Sequence, residues 1–346
     1  MIIVPCFTEG AGIVDEPIPQ RVNGDIYLTE GGSETEIMYK FGYELPHFAM
    51  FKLLDDPGAV AEMRGMFSRY FDTVAESGCA ALVGGLDYRA SPDWAALMGY
   101  SEQGLEEIQS RCIEFVRDVG RPYEGQINDI RYVGIIGPRG DAYSLNQTIT
   151  AQEAEDYHSV QLGTLKKLSV DMAWAATFNN VPEAVGVSRA AASIGVPICV
   201  SFTLGNDHRL RSGPTLRESI ETVDELAGEL KPDCYGINCS HPLEFEPALE
   251  PGDWFLRVRN LRPNAAMMDK ISLCELGHLE DGDPVELGQQ MGDLARKYPH
   301  IDMWGGCCGT WETHLAEIAR NVSSARKAAA VQRRMNRPGF CGGSNS

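Results

Sequence analysis

The chain has 346 residues, 43% hydrophobic, 23% charged and 8% aromatic, the balance of a folded globular protein rather than a disordered, collagen-like or membrane-spanning one. Its 30 Lys and Arg against 49 Asp and Glu leave a formal charge of −19, which repels phosphate backbones and anionic lipid and argues against nucleic acid or membrane partners. No apolar run approaches the ~18 residues of a transmembrane helix. The acidic N-terminal stretch does not read as a signal peptide, so a cytoplasmic location is expected.

In chain order, residues 1–22 read as an irregular N-terminal arm. Short apolar, β-rich runs then alternate with longer amphipathic ones. Strands are predicted over residues 26–32, 80–85, 132–137, 172–178, 197–204, 235–240, 265–270 and 303–308. Helices are predicted over 59–76, 105–118, 151–168, 181–194, 215–230, 285–298 and 312–331. Between the sixth and seventh strands, Pro242, Pro247, Pro251 and Pro263 leave room for only a short helix. Residues 334–346 read as a flexible tail. Eight largely apolar strands, each followed by a crossover, imply parallel pairing buried on both faces. That pattern predicts a single-domain α/β fold, a (β/α)8 TIM-type barrel over residues 23–333.

The barrel matters because its active sites lie at the C-terminal ends of the strands. Cys239 ends the sixth predicted strand, Cys307 and Cys308 end the eighth, and Glu30-Gly31-Gly32 ends the first. All should face one mouth. Three thiolates can bind zinc tetrahedrally and leave a fourth position open. Neighbouring residues on a regular strand point to opposite faces, but Gly305, Gly306 and Gly309 permit an irregular backbone that turns both sulfurs inward. The alternative is packing, or a strained disulfide between the adjacent pair. Of the other seven cysteines among the ten, Cys79, Cys112, Cys199 and Cys234 read as core, Cys274 as packing, and Cys6 and Cys341 as incidental. A zinc ion with three thiolates is a poor Lewis acid for water, whereas a thiol joining it is deprotonated and stays electron-rich. Alkyl transfer to sulfur is the natural chemistry.

Gly305-Gly306-Cys307-Cys308-Gly309-Thr310 followed by His314, with Gly236-Ile237-Asn238-Cys239, resembles the homocysteine S-methyltransferase family across roughly residues 24–325. Gly137-Pro138-Arg139-Gly140 is similar to the family's Gly-Pro turn after strand three. The resemblance implies a zinc-dependent barrel in which Cys239, Cys307 and Cys308 hold Zn2+ and homocysteine sulfur takes the open position. Glu30, Gly31, Gly32 and Ser33 would receive the amino acid end of the acceptor, and Asn238 would orient the ligand loop. Two departures stand out. Glu30 replaces the family's usual Asp, and Ala176 stands where members carry a Glu that binds the acceptor's ammonium group. Either Glu34, Glu36 or Glu183 substitutes, or the acceptor is another thiol.

No cobalamin or folate module fits the remaining length, so the implied donor is a small onium compound of S-methylmethionine, S-adenosylmethionine or betaine type. Tyr88, Trp94, Tyr143, Trp174 and Trp304 are candidate faces for its cation, or core. Arg89 and Arg139 would hold a donor carboxylate, or form surface ion pairs. His241 and His314 would support the site, or cap and pack helices; His47, His158, His208, His278 and His300 read as surface or packing residues. The expected partners are thus a small thiol acceptor and a small methyl donor, with homo-oligomerisation open. A zinc-binding barrel with a different acceptor, or with a thiol-binding role and no transfer, is the alternative that Ala176 and Glu34 favour. A zinc-free barrel with an oxidised Cys307–Cys308 pair is the third.

Overall fold

The computed structural model describes residues 26–142, 148–267, 278 and 280–335. Eight parallel strands close into a barrel in sequence order. They are β1 Tyr27–Thr29, β2 Ala80–Gly84, β3 Ile130–Ile136, β4 Met172–Phe178, β5 Ile198–Phe202, β6 Cys234–Asn238, β7 Val258–Arg262 and β8 Met303–Trp304. The ring closes where Tyr27 pairs with both Ala80 and Met303. Between strands lie α1 Ser33–Tyr39, α2 Pro57–Ser77, α3 Pro92–Leu97, α4 Glu102–Gly120, α5 Ala151–Lys167, α6 Val181–Ile194, α7 Leu216–Ala227, α8 Pro242–Phe245, α9 Pro284–Lys297 and α10 Glu312–Met335. This is the predicted (β/α)8 architecture.

Two cores follow from strands that are apolar on both faces. Tyr27, Leu82, Ile135, Met172, Trp174 and Met303 fill the barrel, while Leu28, Val83, Ile136, Ala173, Val200 and Ile237 face outward onto the helices. Cys79, Cys112, Cys199 and Cys234 are all buried, and the last two are register partners on β5 and β6. Helix starts are set by side chains that accept orphan amide protons. Asp56 caps α2, Asn180 caps α6 and Asp283 caps α9; Thr150 with Glu153, and Thr215 with Glu218, form capping boxes on α5 and α7. Only α8 and short 3-10 turns fill the proline-rich interval after β6.

The seventh strand departs from expectation. It runs over Val258–Arg262, not residues 265–270. Val-Arg-Asn-Leu-Arg reads as a loop, but its charges are neutralised by partners from elsewhere on the barrel. Arg259 Nε donates to Asp302 Oδ1 at 2.9 Å, and Arg262 meets Glu30 at 2.8 Å. The eighth strand keeps only its first two residues in register, and α1 and α3 were too short to show as periodic segments. The tail expected over 334–346 begins inside α10, which runs to Met335; the arm over 1–22 and the rest of the tail lie outside the described residues, as do Cys6, Cys274, Cys341 and Tyr143. No helix among the described residues is long and apolar enough to cross a membrane.

Candidate metal centre and substrate cavity

Cys239 follows β6 with φ 53°, and Thr177, near the end of β4, has φ 65°. Left-handed backbone at a non-glycine residue costs of order 1–3 kcal/mol and persists only where surroundings impose it. Here Asn238 imposes it. Its Oδ1 accepts from Thr177 N at 2.8 Å, and its Nδ2 donates to Thr177 Oγ1 at 2.8 Å, tying β4 to β6 beneath both residues. Cys239 N in turn donates to Arg262 O at 3.2 Å.

Cys307 and Cys308 lie where the chain leaves β8. Cys307 N donates to Pro263 O at 2.7 Å, Cys308 O accepts from Ala265 N at 3.0 Å, and Thr310 Oγ1 donates to Cys307 O at 2.7 Å. These bonds break the strand alternation and bring both sulfurs to Cys239. Gly309, with φ +80°, turns the chain out of the site. The Cys239 and Cys307 sulfurs are 2.6 Å apart, those of Cys239 and Cys308 3.9 Å, and all three lie within 4.8 Å of one another. All three cysteines are free. Hydrogen bonding with Cys239, together with burial, raises Cys307 and Cys308 above the ordinary thiol range. Tetrahedral zinc with bonds near 2.3 Å would space sulfurs about 3.8 Å apart. The Cys239–Cys308 spacing matches, and the Cys239–Cys307 pair needs to open by about 1.2 Å. The donor set fits zinc.

Beneath the trio lies a residue that sequence reading missed. Arg262, 4% exposed, pairs with Glu30 at 2.8 Å. Its Nε donates to Gly306 O at 3.0 Å and its Nη2 to Glu30 O at 2.9 Å, and the guanidinium lies 4.0 Å over the Trp174 ring. The other carboxylate oxygen of Glu30 accepts from Gly84 N at 2.9 Å. Glu30 is therefore held by the protein itself. Gly31 and Gly32 let the turn after β1 lie against the Cys307–Thr310 backbone, where a Cβ on Gly32 would sit 2.5 Å from Cys307 O.

The trio opens onto a cavity of about 310 Å³. Glu30, Gly31, Gly32 and the three cysteines all line it, as expected of strand ends that face one mouth, and so do Ser33 and Asn238. Ala176 lines it too, 3% exposed. Of the three carboxylates considered as its replacement, Glu36 is engaged by Arg69 at 2.8 Å and Lys40 at 3.6 Å. Glu183 is engaged by His158 and the backbone of Arg139. Only Glu34 faces the cavity. It accepts from Ser33 Oγ at 3.1 Å, and burial, with the nearby Cys307 thiol and Glu30, raises its carboxyl above the usual range.

Among the aromatic candidates, Tyr88 and Trp174 line the cavity, Trp94 is covered by Arg89, and Trp304 is fully buried in the outer core. Arg139 pairs with Asp93 at 2.8 Å, away from the cavity that Arg89 lines. His241 caps α8, its Nδ1 accepting from Leu243 N at 3.3 Å. His314 packs edge-on to Trp311 and bonds Asp281 O at 2.7 Å. Both serve helix ends and loops. His158 is buried against Glu183, while His278 is exposed.

A family model described as homocysteine S-methyltransferase matches residues 27–322. Among solved structures, the homocysteine methyltransferase MmuM from Escherichia coli in its oxidized form matches with a TM-score of 0.69 at 19% identity, covering 88% of this chain and 99% of that one. Its metallated form matches with a TM-score of 0.69 at 18% identity and the same coverage.

Proposed function

The chain belongs to the homocysteine S-methyltransferase family, and from that premise we propose that it transfers a methyl group from a small onium donor to the thiolate of homocysteine, with Zn2+ held by Cys239, Cys307 and Cys308. The observation that carries the reading is the convergence of these three sulfurs within 4.8 Å at the mouth of the barrel. The chemistry zinc would supply there is a fourth position at which a thiol loses its proton and stays nucleophilic at neutral pH.

The protein's residues do the rest. Asn238 fixes the two left-handed residues whose geometry aims Cys239. Arg262 braces the Gly306 carbonyl behind Cys307. Glu34 takes the place of the carboxylate missing at position 176 and receives the acceptor's ammonium group, beside the Gly31–Ser33 backbone. The cavity's volume lies at the lower end of the ligand-site range of about 300–1,000 Å³, which favours donors of S-methylmethionine or betaine size over S-adenosylmethionine. In the transfer a bond forms between acceptor sulfur and methyl carbon. The bond from methyl to the donor's positive sulfur or nitrogen breaks, and its electron pair returns to that atom. A cation and a thiolate become two neutral centres, a change that a dry, apolar wall favours.

The test is a matrix of donors against thiol acceptors on anaerobically purified protein, with zinc content measured alongside. We expect about one zinc per chain and loss of turnover in Cys239→Ala. Full turnover in that variant refutes the reading. Glu34→Gln is expected to raise KM for homocysteine, and Ala176→Glu in that background to restore it. Ala176 favours a second reading, a different thiol acceptor. Efficient methylation of a thiol without an amino group, with homocysteine inert, would establish it.

A further inference from the structure

Arg89 is the buried cation that the site described so far leaves unused. It leaves the loop after β2 and lines the cavity. In a closed ring of eight strands β2 stands four places from β6, so Arg89 and Cys239 face each other across the mouth. Arg89 is 6% exposed. Its Nη1 donates to Gly140 O at 2.5 Å, and its guanidinium lies 4.4 Å over Trp94 and 5.0 Å over Tyr88. Its Nε, fully enclosed, has no hydrogen-bond partner among the described residues. Arg262, the other buried arginine among the described residues, meets Glu30, and the half-buried Arg259 meets Asp302. Among the described residues Arg89 meets none, Asp141 on the same cavity wall included.

A guanidinium withdrawn from water without a counter-ion is costly, and its planar fork suits a carboxylate. We propose that Arg89 anchors a carboxylate carried by the methyl donor, and so is the residue that sets the preference for acid-bearing over neutral onium donors. The inference rests on the methyl-transfer reading. The acceptor's sulfur belongs at the cysteines and its head beside Glu34 and the turn after β1. A donor presenting its methyl to that sulfur must extend the rest of its length toward the opposite wall. Tyr88 lines the same cavity and lies against Arg89, whose guanidinium carbon is 5.0 Å from the centre of its ring. Gly140 and Trp94 hold the guanidinium in place, so its orientation precedes the ligand.

The experiment compares two methyl sulfonium donors that differ in the acid group, dimethylsulfoniopropionate and trimethylsulfonium, with homocysteine as acceptor. Wild-type protein should prefer the acid donor. In Arg89→Met, kcat/KM for dimethylsulfoniopropionate should fall roughly 30- to 100-fold, as for loss of a charged hydrogen-bonded pair, with trimethylsulfonium changed by less than about threefold; Arg89→Lys should recover part of the loss. Equal falls with both donors, or an unchanged preference, would overturn the assignment. Repeating the pair with 2-aminoethanethiol as acceptor separates the sources: if the loss appears only with homocysteine, Arg89 serves the acceptor's carboxylate and the donor assignment is wrong. Should Arg89→Met fail to fold, Arg89→Gln is read in the same way. No thiol methylation by the wild type from any donor would overturn the proposed function, and the anchor is then read alone by calorimetric titration of dimethylsulfoniopropionate. Binding that weakens in the variant supports it; equal binding, or none, refutes it.

Discussion

Replacing Arg262 by Met removes the hub that joins β1, β7 and the loop after β8. The guanidinium is 4% exposed and Glu30 7%, so the 2.8 Å pair is shielded from water. Removing one partner of such a pair costs about 3–5 kcal/mol, chiefly because the other charge stays buried alone. The Glu30 carboxylate keeps its bond from Gly84 N, Gly306 O loses the donor from Arg262, and Glu30 O loses one donor while keeping Thr29 Oγ1 and Gly306 N. Against a total stability of about 5–15 kcal/mol for a domain, the single variant should be near the edge of folding. Glu30→Gln alone strands the arginine and should cost about 3 kcal/mol. The double variant strands neither charge, so its cost should fall short of the sum by about 2–3 kcal/mol. Urea unfolding followed by far-ultraviolet circular dichroism on all four proteins closes the cycle. Strict additivity, or a cost below about 1 kcal/mol for Arg262→Met, would refute the reasoning.

Asp87 is fully buried, and burial pushes its carboxyl from 3.8 up to about 7. The folded state therefore keeps a proton that the unfolded chain gives up near pH 3.8, so stability falls as pH rises from about 4 to about 7 and then levels, by on the order of 4 kcal/mol. Asp87→Asn should abolish that slope; a stability difference from wild type that is the same at pH 5 and pH 8 would contradict it. Gly32→Ala places a Cβ 2.5 Å from Cys307 O and 2.7 Å from Thr35 Oγ1, and should lower zinc retention and activity by more than tenfold. Gly163→Ala in α5, where an added Cβ meets nothing within 4 Å, should instead stabilise by about 0.5–1 kcal/mol; differential scanning calorimetry on both, with metal content, reports the contrast. Chelation under reducing conditions should lower the melting temperature, since zinc at 100 times its Kd adds about 2.7 kcal/mol, and re-adding zinc should release protons as the thiols ionise. An unchanged melting temperature after verified metal removal would count against a zinc site.

The periodic segments were legible because each strand buries both faces and each long helix has one apolar side; Met172–Phe178 and Val181–Ile194 have the same bounds in sequence and structure. The cysteines were legible because strand ends of a parallel barrel share a mouth, and Ala176 because the motif left a gap there. β7 was not. Arg259 and Arg262 look like loop residues until Asp302, 43 positions on, and Glu30, 232 positions back, supply their counter-charges. Arg262 was missed at the site for the same reason, since pairing across the ring has no local signal. Glu30, read as a ligand for the acceptor, lines the cavity while its carboxylate also meets Arg262 and Gly84 N, partners that no local pattern announces. The choice among Glu34, Glu36 and Glu183 needed coordinates, because only their partners distinguish them.

β8 is the shortest stave of the barrel after which the paired cysteines come, joined by two residue pairs to each neighbour. Closing the ring and assembling the sulfur trio are therefore one event in the life of the chain. While the polypeptide is being synthesised, Cys239 emerges long before its partners, and a truncated product ending ahead of Cys307 would carry Cys239 without either of them. Competence to hold a substrate arrives only with the final turn of the cycle, so the finished site certifies that the fold has closed.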